Sequence, residues 1–181
     1  AQKNTFVGQM ENALALTGGH SNTLFGYSAG EDLANGDRNT SVGCESGGMT
    51  NGGDVVYVGY RAGQASTASN NVGIGSNAML ACTGADNVAI GKAALTTAGA
   101  AGKCVALGTE SLTAATGVQN CGLGFESGKS VTDGTGNLCI GYQSNTGASQ
   151  VKSIAIGYQV AASVNQKCYI GDGSSQTTIV F

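Results

Sequence analysis

The chain has 181 residues, a formal net charge of −3, 31 Gly, no Pro and no Trp, and only 10% of its residues are charged, against roughly 25% in an ordinary globular domain. Leu, Ile, Val and Phe make up just under a fifth of it, too few for a conventional core, yet low charge and absent Pro argue against disorder and Gly without a three-residue period excludes collagen. No run approaches the roughly 20 apolar residues that span a bilayer, and 8 basic against 11 acidic residues give no electrostatic case for nucleic acid.

A Gly preceded by an apolar residue recurs at Gly8, Gly26, Gly43, Gly59, Gly75, Gly91, Gly108, Gly124, Gly141, Gly157 and Gly171. The intervals are mostly 16 or 17 residues, and a fixed period of this kind marks a repeat architecture. In chain order the strand candidates ending on these glycines are NTFVG (4–8), NTLFG (22–26), NTSVG (39–43), VVYVG (55–59), NVGIG (71–75), NVAIG (87–91), CVALG (104–108), NCGLG (120–124), NLCIG (137–141), SIAIG (153–157) and KCYIG (167–171). Numbered from the repeat Gly, position −1 is apolar throughout and position −3 is apolar or β-branched. Position −2 is usually small, as at Ser41, Gly73, Ala89, Ala106, Gly122, Cys139 and Ala155. This is the period-two pattern of a short strand.

Position +3 is small again, from Ala29 and Ser46 to Ser127 and Ser144, and a looser Ser, Thr, Ala and Gly stretch follows. Position −4 carries Asn4, Asn22, Asn39, Asn71, Asn87, Asn120 and Asn137. Asn tolerates left-handed backbone and bonds its own turn, so these residues are expected at a corner, bonding along the stack. A coil of 16 residues holds two short strands and two turns. The expectation is therefore an all-β solenoid of about eleven 16–17-residue coils, a rod of roughly 50 Å at about 4.8 Å per rung. One layer of Val, Ile and Leu is expected between two sheets, with the small column facing outward and packing against copies of the same chain. The division expected is 1–166 for the roll and 167–181 for its last rung and C-terminal end.

The stretches NVAIG, NVGIG, SIAIG and NTSVG, each with a small residue three positions on, resemble the left-handed parallel β-roll repeats in heads of YadA-type trimeric autotransporter adhesins. The stretches NTLFGYSAGEDLANGDRNTSVGCESGG (22–48) and NQKCYIGDGSSQTTIVF (165–181) resemble repeats of phage and algal-virus fibre proteins and the last rung before a fibre's C-terminal region. The resemblance covers essentially the whole chain and implies a left-handed parallel β-roll assembled as a homotrimer. It also implies an extracellular setting, in a virion surface fibre or a cell-surface appendage. Asp54 and Val55 in place of the Asn corner, and Cys104 at another, depart from the pattern.

Chemistry finds little to use. His20 is the only His and lies in a Gly-rich turn. It reads as an exposed turn residue, the minor alternative being that three copies meet near a threefold axis and hold an ion. Glu45, Glu110 and Glu126 share position +2 with Arg61, Asn77, Gln143 and Gln159. Glu110 and Glu126 on adjacent rungs approach the roughly 5 Å carboxylate spacing of retaining glycosidases, but a polar column on a solenoid is ordinarily its wet face. Cys104, Cys121 and Cys139 fall on consecutive rungs in columns that alternate between faces, so the six Cys read as free thiols, with Cys44 and Cys82 the two to test. Without Cys-x-x-Cys pairs or a regular Asp ladder, neither zinc nor calcium is expected, and no cofactor or catalytic residue is assigned. Residues 1–16 show no signal peptide, and the start at Ala1, inside a repeat, reads as a fragment or a processed product.

Position +1 gathers Tyr27, Tyr60, Phe125, Tyr142 and Tyr158, the last three on consecutive rungs. Flat apolar rings with polar tips suit sugar stacking or receptor contact, and they equally suit cover for a roll edge or a trimer seam. The sequence thus reads as a non-enzymatic trimeric fibre or adhesin module that attaches to a host cell-surface receptor or glycan, its partners being itself and that receptor. The alternatives are a purely structural spacer in a viral fibre and an ice-binding solenoid. The column Thr5, Thr23 and Thr40 begins the Thr array an ice binder needs, then turns to Val.

Overall fold

The computed structural model describes residues 3–9, 18–48, 52–97 and 99–179. Its strands are β1 (Thr5–Val7), β2 (Thr23–Phe25), β3 (Thr40–Val42), β4 (Val56–Val58), β5 (Val72–Ile74), β6 (Val88–Ile90) and β7 (Val105–Leu107). They continue as β8 (Cys121–Leu123), β9 (Leu138–Ile140), β10 (Asn145–Thr146), β11 (Ile154–Tyr158), β12 (Ala161–Ala162), β13 (Cys168–Asp172) and β14 (Gln176–Ile179). β1 to β9, β11 and β13 stack in sequence order as one parallel sheet. The chain is a β-solenoid of ten turns, without a helix among the described residues.

The register follows the sequence columns without slip: Val72 pairs with Val88, Gly73 with Ala89 and Ile74 with Ile90. The repeat Gly fixes this spacing. Each has φ between 116° and 153°, a region essentially closed to residues with a Cβ. At all but the last, an added Cβ would strike the carbonyl of the corresponding Gly in the next coil.

Two expectations about the cross-section are corrected. First, the faces are reversed. The small column at −2 points inward: Ser41, Gly73, Ala89, Ala106, Gly122, Cys139 and Ala155 are buried. The −1 column points outward, with Val7 50% and Phe25 55% exposed and Ile74, Ile90, Leu123 and Ile170 also open. The −3 column shares that outer face, most of it half-buried. The small column is therefore not the self-packing surface. Second, the wall opposite the sheet is a stack of left-handed turns over most of its length. Among the described residues only β10 and β12 pair there as strands.

That turn wall explains the reversal. Residues at +2 have φ between 49° and 57° from Ser28 to Gln159, curling the chain back so that +3 and +4 enter the roll. Its amides bond across rungs as the sheet does, for example Leu95 N to Ser111 O at 3.0 Å and Leu112 N to Ser127 O at 3.0 Å. Between walls this close there is room for one large side chain per coil. Where −2 is large, +4 is Gly: Leu24 faces Gly30, and Tyr57 faces Gly63. In the coils of Gly73, Ala89 and Ala106, +4 is Met79, Leu95 and Leu112, each fully buried and each with φ near 50°; the pairs Gly122 with Gly128 and Ala155 with Ala161 are small at both positions.

The Asn column is also interior. Asn22, Asn39, Asn71, Asn87, Asn120 and Asn137 are at most 2% exposed. The left-handed corner lies one residue earlier, at Ser21, Arg38, Asp54, Asn70, Asp86, Lys103 and Gln119, which corrects the backbone role expected of Asn. The expected bonding along the stack is present. Asn22 Oδ1 accepts from Asn39 N at 2.9 Å, and Asn120 Oδ1 accepts from Asn137 N at 3.0 Å. The amide groups donate across the roll, as from Asn87 Nδ2 to Ala101 O at 2.9 Å. Cys104 takes an Asn place and keeps its pattern, its thiol accepting from Asn120 N at 3.4 Å and donating to Gly117 O at 3.5 Å.

At the C-terminal end, β14 turns back antiparallel on β13, so the end of the roll is a hairpin that covers the last rung. Residues 180 and 181 of the expected 167–181 segment lie outside the described residues.

Candidate functional site

The best-defined surface feature is the +1 column, which leaves the sheet beside the repeat Gly and stands exposed. The parallel register places Phe125, Tyr142 and Tyr158 above one another, and the rings stack. Phe125 and Tyr142 have centroids 5.3 Å apart at 11°, and Tyr142 and Tyr158 5.1 Å apart at 9°. Offset stacks of this kind contribute about 0.5–1.5 kcal/mol per pair. Ring faces inside the stack are closed to a ligand, so Tyr142 presents only its edge and hydroxyl, and Phe125 and Tyr158, at the two ends, each have one face outside the stack. Tyr27 and Tyr60 stand apart from this stack, because Cys44 and Ser76 occupy +1 in the coils that follow them. Arg61 lies 5.9 Å from the centroid of the Tyr60 ring.

Beside the rings runs the +2 polar belt. Lys129 reaches between two rungs, its Nζ 2.6 Å from Glu110 Oε2 and 2.7 Å from Glu126 Oε1. Gln143 donates to Glu126 Oε2 at 2.6 Å, and Gln159 donates to Gln143 Oε1 at 2.9 Å. A second network joins Arg61 Nε to Gln64 Oε1 at 2.7 Å and Gln64 Nε2 to Glu45 Oε2 at 2.7 Å. Hydrogen bonds from Lys129 and then Gln143 hold the Glu126 carboxyl below the ordinary carboxylate range. A glycosidase general acid needs the opposite shift. Lys129 and Gln64 were missing from the sequence reading. Their signal is a polar residue three positions after a +2 carboxylate or Arg, within reach of the neighbouring rung.

The remaining groups are dispersed. His20 is exposed, its backbone N–H bonded to Asp37 Oδ1 at 2.7 Å. Among the described residues, no group of three His, Cys, Asp or Glu is arranged to hold a metal ion. All six thiols are free. Cys104 and Cys139 are buried inside the roll, whereas Cys121 between them is half-buried on the outer face. Burial pushes the thiols of Cys82 and Cys104 up and that of Cys139 to about 11, which suits small packing residues rather than nucleophiles.

The fold and surface define a β-solenoid with an apolar outer sheet face and an adjoining ring-and-polar edge. No protein-family model, curated protein or solved structure matches the chain.

Proposed function

We propose that the chain is a homotrimeric module of a virion fibre or cell-surface adhesin, extracellular in setting, which attaches to a host receptor or glycan. The observation that carries the reading is the exposed apolar row formed by the −1 column from Val7 to Ile170, with the half-buried −3 column beside it. Neither column holds a charged residue. Exposed apolar patches beyond a few hundred Å² mark interaction sites. A partner that meets one apolar row at every rung must itself repeat at about 4.8 Å, and a second copy of this chain has that period. The number three comes from the resemblance to trimeric rolls. Trivalency would then multiply weak contacts along the ring-and-polar edge.

Absolute mass by light scattering after size exclusion, under reducing conditions, tests the assembly. Three times the 17.8 kDa chain mass is expected. A stable monomer overturns it and returns the single-chain alternatives, ice binding among them. The shaft or spacer reading has one observation in its favour: the belt from Glu110 to Gln159 bonds mainly to its own neighbouring rungs. Binding of the labelled trimer to host cells or glycans separates the two, because a spacer stays in solution.

A further inference from the structure

The stack of rings ends at Tyr158. One of its faces lies on Tyr142, yet Tyr158 is 56% exposed, the highest value among the five rings of the column. The parallel register pairs Tyr158 with Asp172, so a carboxylate occupies the place where the next ring would stand. Tyr158, Gln159, Asp172, Gly173 and Ser174 line an open recess of about 340 Å³ there.

We propose that this recess binds an organic ammonium group, held between the free face of Tyr158 and the carboxylate of Asp172. An aromatic face attracts a cation through its quadrupole, and the polar atoms around it are acceptors. Among the described residues the bonds to the Asp172 side chain all fall on Oδ1, from Ser174 N at 2.9 Å, Ser174 Oγ at 2.7 Å and Ser175 N at 2.7 Å. Oδ2 is left for a ligand. These bonds, the Ser174 hydroxyl foremost, keep the carboxyl below the ordinary range and hence ionised. Gln159 donates its amide to Gln143, and its Oε1 lies 3.6 Å from where a Cβ on Gly173 would stand. Gly173 thus keeps the floor bare. Among the described residues no Lys or Arg lines the recess, so an anion meets the charge of Asp172 with no cation to offset it.

The site supplies a ligand class for the attachment module proposed above and rests on that reading for its role. Its binding does not depend on the trimer. The test is a titration of the full chain with tetramethylammonium chloride, against sodium chloride at equal ionic strength, followed by NMR. Saturable shifts are expected at Tyr158, Gln159 and Gly173, with Phe125 unmoved. Tyr158→Ala abolishes them. Asp172→Asn retains an Oδ1 for the Ser174 and Ser175 bonds and weakens binding roughly three- to tenfold. Gly173→Val fills the recess and blocks binding, and unchanged resonances of the buried Tyr57 ring confirm that each variant is folded. Shifts that sodium chloride reproduces, or that survive Tyr158→Ala, overturn the site. Equal shifts from a neutral methyl glucoside overturn the ammonium class. A monomer that still binds removes the trimer and keeps the site; a trimer that does not bind removes the site alone.

Discussion

The coils around Gly59 and Gly91 solve one packing problem from opposite walls. In the Gly59 coil the sheet supplies the bulk: Tyr57 is fully buried, its hydroxyl 2.8 Å from Ser66 Oγ, and Gly63 on the turn wall leaves room for the ring. In the Gly91 coil the sheet contributes only Ala89, and Leu95 fills the space from the turn wall at φ 52°. A left-handed Leu costs about 1–2 kcal/mol, so the filled volume outweighs the backbone strain. In these two coils the space between the walls takes one large side chain, which either wall can supply. The two coils differ on the ladder as well, with Val55 at position −4 in one and Asn87 in the other.

The largest effect is expected from giving one coil both bulky groups. Gly63→Leu drives a side chain into the Tyr57 ring at a φ of 62° and should cost about 4 kcal/mol in denaturant unfolding, from overpacking and strain together. Adding Tyr57→Ala should recover much of that loss, since the pair then reproduces the Ala89 and Leu95 arrangement. Additive losses in this double-mutant cycle would break the exchange between walls.

A smaller effect is expected on the ladder. Asn87→Val removes the bonds to Ala101 O at 2.9 Å and from Cys104 N at 2.9 Å inside the roll and should cost about 2 kcal/mol. Val55→Asn, which would insert the missing ladder member between Asn39 and Asn71, should be neutral or stabilising by up to about 1 kcal/mol. If both changes shift the unfolding midpoint equally downward, the ladder is not what distinguishes the two coils.

The smallest lies outside both coils, in the exposed belt. The folded-state pKa of Glu126 lies below its unfolded value, so the unfolded chain binds more protons in that window. The Glu126 contribution is present above the ordinary Glu value of about 4.3 and is lost as pH falls through the folded value. Lys129 is raised by Glu110 and then Glu126, so its contribution is present at neutral pH and fades as pH climbs through the folded Lys value. Glu126→Gln should flatten the acid limb of stability against pH and leave the midpoint near neutrality almost unmoved.

The period, the register and the stack of Phe125, Tyr142 and Tyr158 were legible in the sequence because the repeat Gly is invariant in this chain and a parallel sheet without slip converts columns directly into neighbours. The facing was not legible. Period-two alternation shows that Val88 and Ile90 share a side opposite Ala89, but only the distance to the opposite wall decides which side is inside. The rule that apolar residues go inward misassigns a roll too narrow to hold a Val or Ile at every rung. A usable signal did exist, in the large and small residues exchanging across six positions, as in Tyr57 with Gly63 and Gly73 with Met79. The interior place of the Asn column was likewise marked by its substitutes Val55 and Cys104, which are poor corner residues and good buried ones. The pairing of Lys129 with Glu110 spans one rung and leaves no mark on the period.

The slip-free stacking has a consequence for how such a chain changes length. Each coil begins and ends at the same column and, among the described residues, its strands pair only with those of its two neighbours, so nearest-neighbour terms carry its stability. Unequal recombination between two repeats would therefore add or delete whole coils without creating a foreign junction, lengthening or shortening the rod by about 4.8 Å each time. Genes for rolls of this kind are expected to differ in integer numbers of coils, with the hairpin over the last rung kept at the end.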